Sequence, residues 1–318
     1  MNERLVLGAD VGGTSVKFVV VDADGMSIVD GSIRTDVADA GSTFALLAAE
    51  VASLLNGGTV TAVGLACAGI VDPVAGTLGR APNLPGWEGS DLRTLLGAAF
   101  GPVACAVAND VNAALVGERH LGAGRQCRDL VMYALGTGVG GGIMIEGRLV
   151  VGARHGAAEL GHVVLDRGGP PCSCGNNGCL EAYAGAVALA AEAKRLSGLP
   201  GADPDLVALC ARNEVTPHVL AQLAEAGSAQ VIAMFHEAGR RLGQAVGGVV
   251  NTLDPERIII GGGVAQAGDL ILGPCRVEAA RIILGERSKS IPIVPAELGP
   301  RAAAVGAAVL ATEEVVAR

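Results

Sequence analysis

Residues 4–34 run RLVLGADVGGTSVKFVVVDADGMSIVDGSIR, and this stretch sets how the rest of the chain is read. Three short segments rich in Val, Ile and Leu, at 4–11, 15–22 and 26–34, are separated by turn-forming residues, which predicts three consecutive strands. Asp10-Val11-Gly12-Gly13-Thr14 turns the first into the second, and Asp22-Ala23-Asp24-Gly25 closes the second and third as a hairpin. A helix follows over 42–55, where Phe44, Leu47, Val51, Leu54 and Leu55 recur at helical spacing until Asn56-Gly57-Gly58 stops it. A strand at 59–67, a Gly/Pro-rich loop at 68–90, a helix near 91–99, a strand at 103–108 and a helix at 110–120 complete a βββαβαβα order.

A similar order begins again after Gly122-Ala123-Gly124. Strands are expected at 129–135, 140–146 and 148–151, then a Gly/Cys-rich loop and helices over much of 180–253. A strand at 256–261, a helical stretch at 264–284, a strand at 291–295 and a helix at 301–316 close the chain. Two copies of one α/β unit predict two lobes with a central cleft. The expected lobes are a smaller N-terminal one over 1–120, completed by the C-terminal helix 301–318, and a larger one over 121–300 that carries the cysteine loop.

Of 318 residues, 50% are hydrophobic and 17% charged, enough apolar material for a sizeable core. With 23 basic and 32 acidic residues the net charge is −9, which argues against bulk electrostatic attraction to nucleic acid or anionic lipid. One Trp, two Tyr and four Phe offer no stacking platform for bases, while 48 glycines imply many tight turns. No apolar run is long enough for a membrane span, and Met1-Asn2-Glu3-Arg4 is no basic-then-apolar leader, so the expectation is a cytoplasmic enzyme. Of eight cysteines, five are scattered and read as reduced, buried thiols.

Three glycine loops could approach phosphates. In the first, Gly12 and Gly13 let backbone amides converge on an anion, Thr14 adds a hydroxyl, and Asp10 is placed to hold a water on Mg²⁺; the alternative is a plain β-turn. The second, Gly136-Thr137-Gly138-Val139-Gly140-Gly141-Gly142, satisfies G-x-G-x-x-G literally. A dinucleotide site needs a helix next, however, and a strand (143–146) follows. A second hairpin nest fits better. The third, Gly261-Gly262-Gly263, lies between a strand and a helix, where a nucleotide could approach a helix start. With only Lys17, Lys194 and Lys289 in the chain, and none in register with a G-x-x-x-x-G loop, a P-loop is excluded.

Asn109-Asp110 marks a strand-to-helix junction. Either residue could simply cap the helix. A carboxylate there is also held ionised by the helix N-terminus and can deprotonate an attacking hydroxyl. Glu159-Leu160-Gly161-His162 and Glu181 bracket the cysteine loop with groups able to bind a polyhydroxylated ligand. His162, Cys172, Cys174 and Cys179 give H-x9-C-x-C-x4-C, four N/S donors suited to a closed tetrahedral zinc site. One His162 ring nitrogen could bind metal while the other donates to a ligand.

Taken together, D-V-G-G-T (10–14), N-L-P-G-W (83–87), N-D-V-N-A-A (109–114), G-T-G-V-G-G-G (136–142), E-L-G-H (159–162) and C-S-C-G-N-N-G-C-L-E (172–181) resemble the ROK family of sugar kinases and regulators. The resemblance runs from Leu5 to the last helix, and its most specific part is the cysteine block with E-x-G-H. It implies an actin-like ATPase fold, related to ribonuclease H, with ATP-dependent phosphorylation of a hexose at the 6-hydroxyl. By matching position, Asp110 is the base, and Asn83, Asn109, Asp110, Glu159, His162 and Glu181 contact the sugar. Asp10, Gly12, Gly13, Thr14, Thr137, Gly138, Gly262 and Gly263 surround the ATP phosphates, Mg²⁺ and nucleoside; zinc is structural. One departure is that Ser15, not the family's frequent Lys, follows G-G-T. N-L-P-G-W with E-L-G-H looks most like the glucose enzymes, since fructokinase-like members carry Lys where Asn83 stands. N-acetylglucosamine, N-acetylmannosamine, mannose or fructose as substrate, or a silent sugar sensor, are the alternatives. Polyphosphate-using relatives generally lack the cysteine block, which favours ATP. The family's repressors carry a helix-turn-helix ahead of D-x-G-G-T, so with nine residues before Asp10 no DNA partner is expected. A homodimer is what the family suggests.

Overall fold

The computed structural model describes residues 4–23 and 25–317, with side chains to residue 315. Residues 1–3 of the expected first lobe, Asp24 of the expected hairpin turn and Arg318 of the expected closing helix lie outside the described residues. Two compact units divide the chain: Met1–Gln126 with Leu149–Ala157 and Glu297–Arg318, and Cys127–Arg148 with Ala158–Ala296.

The first unit runs β1 (Val6–Val11), β2 (Ser15–Val21), β3 (Ser27–Arg34), α1 (Ala40–Leu54), β4 (Ala62–Cys67), the two-residue strands β5 (Val71–Asp72) and β6 (Thr77–Leu78), α2 (Leu92–Phe100), β7 (Ala104–Asn109) and α3 (Asp110–Leu121). Its sheet has the order β3-β2-β1-β4-β7. β1 pairs antiparallel with β2 and parallel with β4, which pairs parallel with β7. β1 and β4 are apolar along nearly their whole length because both faces of the sheet are covered. The second unit runs β8 (Leu130–Leu135), β9 (Val139–Ile145), β10 (Arg148–Leu149), α4 (Glu181–Ala184), α5 (Ala186–Ser197), α6 (Pro204–Ala211), α7 (Pro217–Glu225), α8 (Ala229–Leu253), β11 (Arg257–Gly261), α9 (Asp269–Ile282) and β12 (Ile293–Pro295); α10 (Ala302–Ala317) then returns to the first unit. Its sheet order, β10-β9-β8-β11-β12, repeats the first. This duplicated arrangement of an antiparallel meander continued by parallel strands is the actin-like ATPase fold that the sequence implied.

One expectation is corrected in detail: the loop 68–90 contains the β5–β6 hairpin, whose strands are too short to leave a periodic signal. The stretch 264–284 is mostly helical, as expected, in two pieces: a 3₁₀ turn (Val264–Ala267) is cut off by Gly268 at φ 60°, and α9 starts afresh at Asp269.

One face of the first sheet buries Leu7, Phe18 and Leu65 against Phe44 and Leu47 of α1 and Leu92 and Leu96 of α2. Trp87 is fully buried in this core, edge-on to Phe44 at 5.2 Å, and its indole N–H donates to the Asp36 carbonyl at 2.8 Å. The other face is covered by α10 at backbone distance. A Cβ at Gly8 would overlap the Ala304 carbonyl and one at Gly64 the Ala307 carbonyl, so glycine in the strands and alanine in the helix are one steric solution. α3 docks on α10 the same way, through Gly117 and Gly306. In the second unit α8 presents Gly239, Gly243 and Gly247, one turn apart, to α9. Glu118 of α3 is fully buried, yet its carboxylate accepts the amide hydrogens of Ala123 (2.7 Å), Glu297 (3.1 Å) and Leu298 (2.8 Å). One side chain therefore ties the segment before the chain's first exit from the first unit to the segment of its final return.

Two alanine substitutions should move stability in opposite directions. Gly64→Ala pushes a methyl into the α10 backbone and should cost about 1–3 kcal/mol. Gly97→Ala, in α2 with open space around it, should gain about 0.5–1 kcal/mol. Thermal unfolding of both variants checks the close-packed helix; equal effects would refute it.

Candidate active site and metal centre

The parallel register places the C-terminal ends of β1, β4 and β7 side by side, with Val11 beside Cys67 and Cys67 beside Asn109. In sheets of this kind the strand ends are where ligands gather. Asp10 stands at the end of β1, and Asp110 is the first residue of α3, directly after β7. The two carboxylates share one neighbourhood. Burial, with the negative charge of Asp110 adding to it, pushes the Asp10 carboxyl up to about 7, against the opposing charge of Lys17. Lys17 faces Asp10 directly across the β1–β2 pair, so the chain does place a lysine charge at the first glycine loop, two residues beyond Ser15. No sequence spacing signalled that pairing; it comes from strand register.

Asn109 caps α3. Its side-chain oxygen accepts from the amides of Val111 (2.9 Å) and Asn112 (3.2 Å), and its Nδ2 donates to the Gly69 carbonyl at 3.0 Å. The capping alternative is thus observed, and the cap fixes the junction at which Asp110 begins α3. In the first glycine loop the Gly12 amide donates to the Ser15 carbonyl, and the Thr35 hydroxyl to the Gly12 carbonyl at 2.7 Å. Neither Gly12 nor Gly13 has a positive φ. Gly13 is needed instead for clearance, since its Cβ would stand 3.0 Å from the Asn83 carbonyl. That contact brings Asn83 to the loop containing Thr14. Asn83 itself is exposed on a loop anchored by buried Leu84 and Trp87.

In the second unit Thr137 and Gly138 lie in the β8–β9 turn, at the same sheet edge as Gly262 and Gly263. Gly262 adopts φ 89° and its Cβ would overlap the Leu135 carbonyl, so the third loop is packed on the second. The helix start expected after Gly263 is only the four-residue 3₁₀ turn, so little helix dipole is directed there. A Cβ on Gly141 would strike the Ala158 carbonyl, and one on Gly161 the Val139 carbonyl. β9 and the turn that holds Glu159 and His162 thus meet backbone to backbone. Ala158 takes φ 66° just before Glu159. Glu181, first residue of α4, accepts from the Val139 amide (3.1 Å) and the Ser173 hydroxyl (2.6 Å). Burial works against its charge, but these bonds prevail and hold the carboxyl below its usual range.

His162, Cys172, Cys174 and Cys179 converge, with their donor atoms all within 4.8 Å of one another. His162 Nδ1 lies 3.6 Å from Cys172 Sγ, and the Cys174 and Cys179 sulfurs are 3.7 Å apart. Tetrahedral zinc with Zn–S of about 2.3 Å requires S···S edges of about 3.8 Å, which these separations match. Nδ1 is the nitrogen turned to the sulfurs, leaving Nε2 on the far side of the ring. The Asn176 amide draws the Cys174 thiol down to about 7, whereas burial pushes Cys179 up to about 12. The loop is shaped by Gly175 (φ 94°) and Gly178 (φ 69°), the latter with no room for a Cβ beside the Asp166 carbonyl. Ser173, which links the cluster to Glu181, was not singled out by the sequence; its position between two cysteines was the available signal.

The ROK family profile matches residues 6–314. The glucokinase of Streptomyces coelicolor is 34% identical, covering 97% of this chain and 98% of its own. The kanosamine kinase of Amycolatopsis mediterranei is 33% identical over 96% of this chain and 95% of its own. Among solved structures, a ROK family glucokinase from Streptomyces griseus in complex with glucose and AMPPNP superposes with a TM-score of 0.83 at 33% identity, covering 97% of this chain and 99% of that one. Among the described residues, no helix is long and apolar enough to cross a membrane.

The raised Asp10 carboxyl makes a pH prediction for magnesium-free protein. Between its ordinary 3.8 and about 7, the folded chain retains a proton that the unfolded chain releases, so stability falls as pH rises through that window. Asp10→Asn removes the loss. Its stability relative to wild type, measured by urea unfolding, should grow from about pH 4 to about pH 7 and then level off. Parallel curves would refute the buried-carboxylate assignment.

Proposed function

This chain belongs to the ROK family, and on that premise we propose that it is an ATP-dependent sugar kinase that converts glucose to glucose 6-phosphate. The observation that carries the reading is Asp110 at the β7–α3 junction, capped in place by Asn109 and paired with Asp10. In this reading Asp110 accepts the proton of the sugar 6-hydroxyl as that oxygen attacks the γ-phosphorus of ATP and ADP departs. Asn83, Asn109, Glu159, His162 and Glu181 hold the sugar hydroxyls. Gly12, Gly13 and Thr14 in the first unit and Thr137, Gly138, Gly262 and Gly263 in the second serve the nucleotide.

Asp10 would hold Mg²⁺ through water, and its proton affinity beside Asp110 is what a site awaiting a cation shows. Mg²⁺ supplies neutralisation of phosphate charge. His162, Cys172, Cys174 and Cys179 would hold structural zinc, which fixes the loop from which Glu181 and His162 project. Glucose is favoured by the glucokinase relatives and by Asn83 in N-L-P-G-W. The kanosamine kinase relative supports a second reading, with kanosamine as the substrate.

Coupled ADP release with Mg·ATP over glucose, mannose, N-acetylglucosamine, N-acetylmannosamine, fructose and kanosamine should show the highest kcat/KM for glucose. Silence on every sugar would overturn the kinase reading. Asp110→Ala should lower kcat by roughly 10²–10⁴-fold with sugar affinity largely kept; near-normal turnover would remove Asp110 as the base. Elemental analysis of purified protein should find about one zinc per chain, and Cys174→Ser should lose it and weaken sugar binding.

A further inference from the structure

We propose that Glu181 is a positioning strut that makes nucleotide affinity depend on occupancy of the His162–Cys172–Cys174–Cys179 cluster. The inference rests on the reading of residues 136–138 as a nucleotide loop. Oε1 of Glu181 accepts the Ser173 hydroxyl at 2.6 Å and lies 3.5 Å from the Cys172 sulfur. Oε2 accepts the Val139 amide at 3.1 Å, beside Gly138, where any Cβ would overlap that same oxygen. One rigid, planar group therefore spans two loops. Ser173 lies between two metal-binding cysteines, and Glu181 itself follows Cys179 by two residues.

The glycine loop is held from its other side too. The Ala186 amide donates to the Gly136 carbonyl at 2.9 Å, and a Cβ on Gly185 would stand 3.1 Å from the Thr137 carbonyl. Glu181 opens α4, while Gly185 and Ala186 directly follow its last residue and lead into α5, so the 136–138 turn is gripped from both sides of one short helix. Its start is set by the metal loop, with the Leu180 amide donating to the Val163 carbonyl and Cys179 two residues ahead of Glu181. Contacts this close pass on a shift of a few tenths of an ångström instead of absorbing it. A carboxylate oxygen has two lone pairs, so the strut also leaves acceptor capacity for a sugar hydroxyl.

The test is calorimetric titration of wild type, Ser173→Ala and Ser173→Thr with a non-hydrolysable ATP analogue and Mg²⁺, each with metal and after chelation, with metal content measured throughout. Wild type should lose about five- to tenfold in affinity on metal removal. Ser173→Ala should keep its metal, bind the analogue as weakly as chelated wild type, and respond less than about twofold to chelation. Ser173→Thr, which retains the hydroxyl, should behave as wild type. Analogue affinity indifferent to metal in wild type, or a Ser173→Ala variant as tight and as metal-responsive as wild type, would overturn the strut. Should chelated protein unfold, metal-replete Ser173→Ala against Ser173→Thr decides alone: equal affinities overturn the strut. No analogue binding by metal-replete wild type would instead overturn the nucleotide reading beneath it.

Discussion

β9 has almost no side chain where it passes the turn 158–161. Gly141 and Gly161 each face a carbonyl of the opposing segment with no space for a methyl group, while Gly138 lies against the carboxylate of the Glu181 side chain. Everything chemical in the second unit hangs on this approach. The turn presents Glu159 and His162, the strand leads back to Thr137, and Glu181 closes the gap between strand and cysteine loop. A glycine run of this kind is usually explained by what a phosphate needs. Here one of its members, Gly141, is required first by the protein's own backbone, which stiffens that part of the loop before any ligand arrives.

The first unit solves a different problem, that of keeping two carboxylates near each other. Three parallel strand ends bring Asp10 and Asp110 together, and the cost is visible in the proton affinity of Asp10. Lys17 relieves part of it from across the hairpin, as an exposed charge that solvent screens. Strain of this kind persists only where the surrounding elements over-determine it. The Asn109 cap and the close seating of α3 on α10 supply that determination. In the second unit Ala158, held at φ 66° immediately before Glu159, is a local cost of its own.

Strand and helix order was legible because the first meander and the strand–helix alternation carry strong periodicity, and because Asn109-Asp110 and the cysteine block are chemically distinctive. What escaped was set by distance in space. The pairing of Lys17 with Asp10 follows from register, and the Ser173–Glu181 bond from the folding of one loop onto another helix. The positive φ of Gly268, which ends a turn and starts a new helix, has no signal in the local pattern either. Residues 149–157, which go with the first unit, and the short β5–β6 hairpin are too brief to outvote their neighbours in any local pattern.

The seating of α10 on Gly8 and Gly64 also fixes the order in which the protein can mature during synthesis. The first unit emerges first, but the face formed by Val6, Val19, Val21 and Ala62 has its cover only in Ala304, Ala308 and Ala311. Glu118, likewise, waits for the amides of Glu297 and Leu298. The last segment of the second unit ends at Ala296, so this unit can close while the last helix is still inside the ribosome. The N-terminal half of this chain is therefore the last to be finished, and it spends most of translation with one face of its sheet still uncovered.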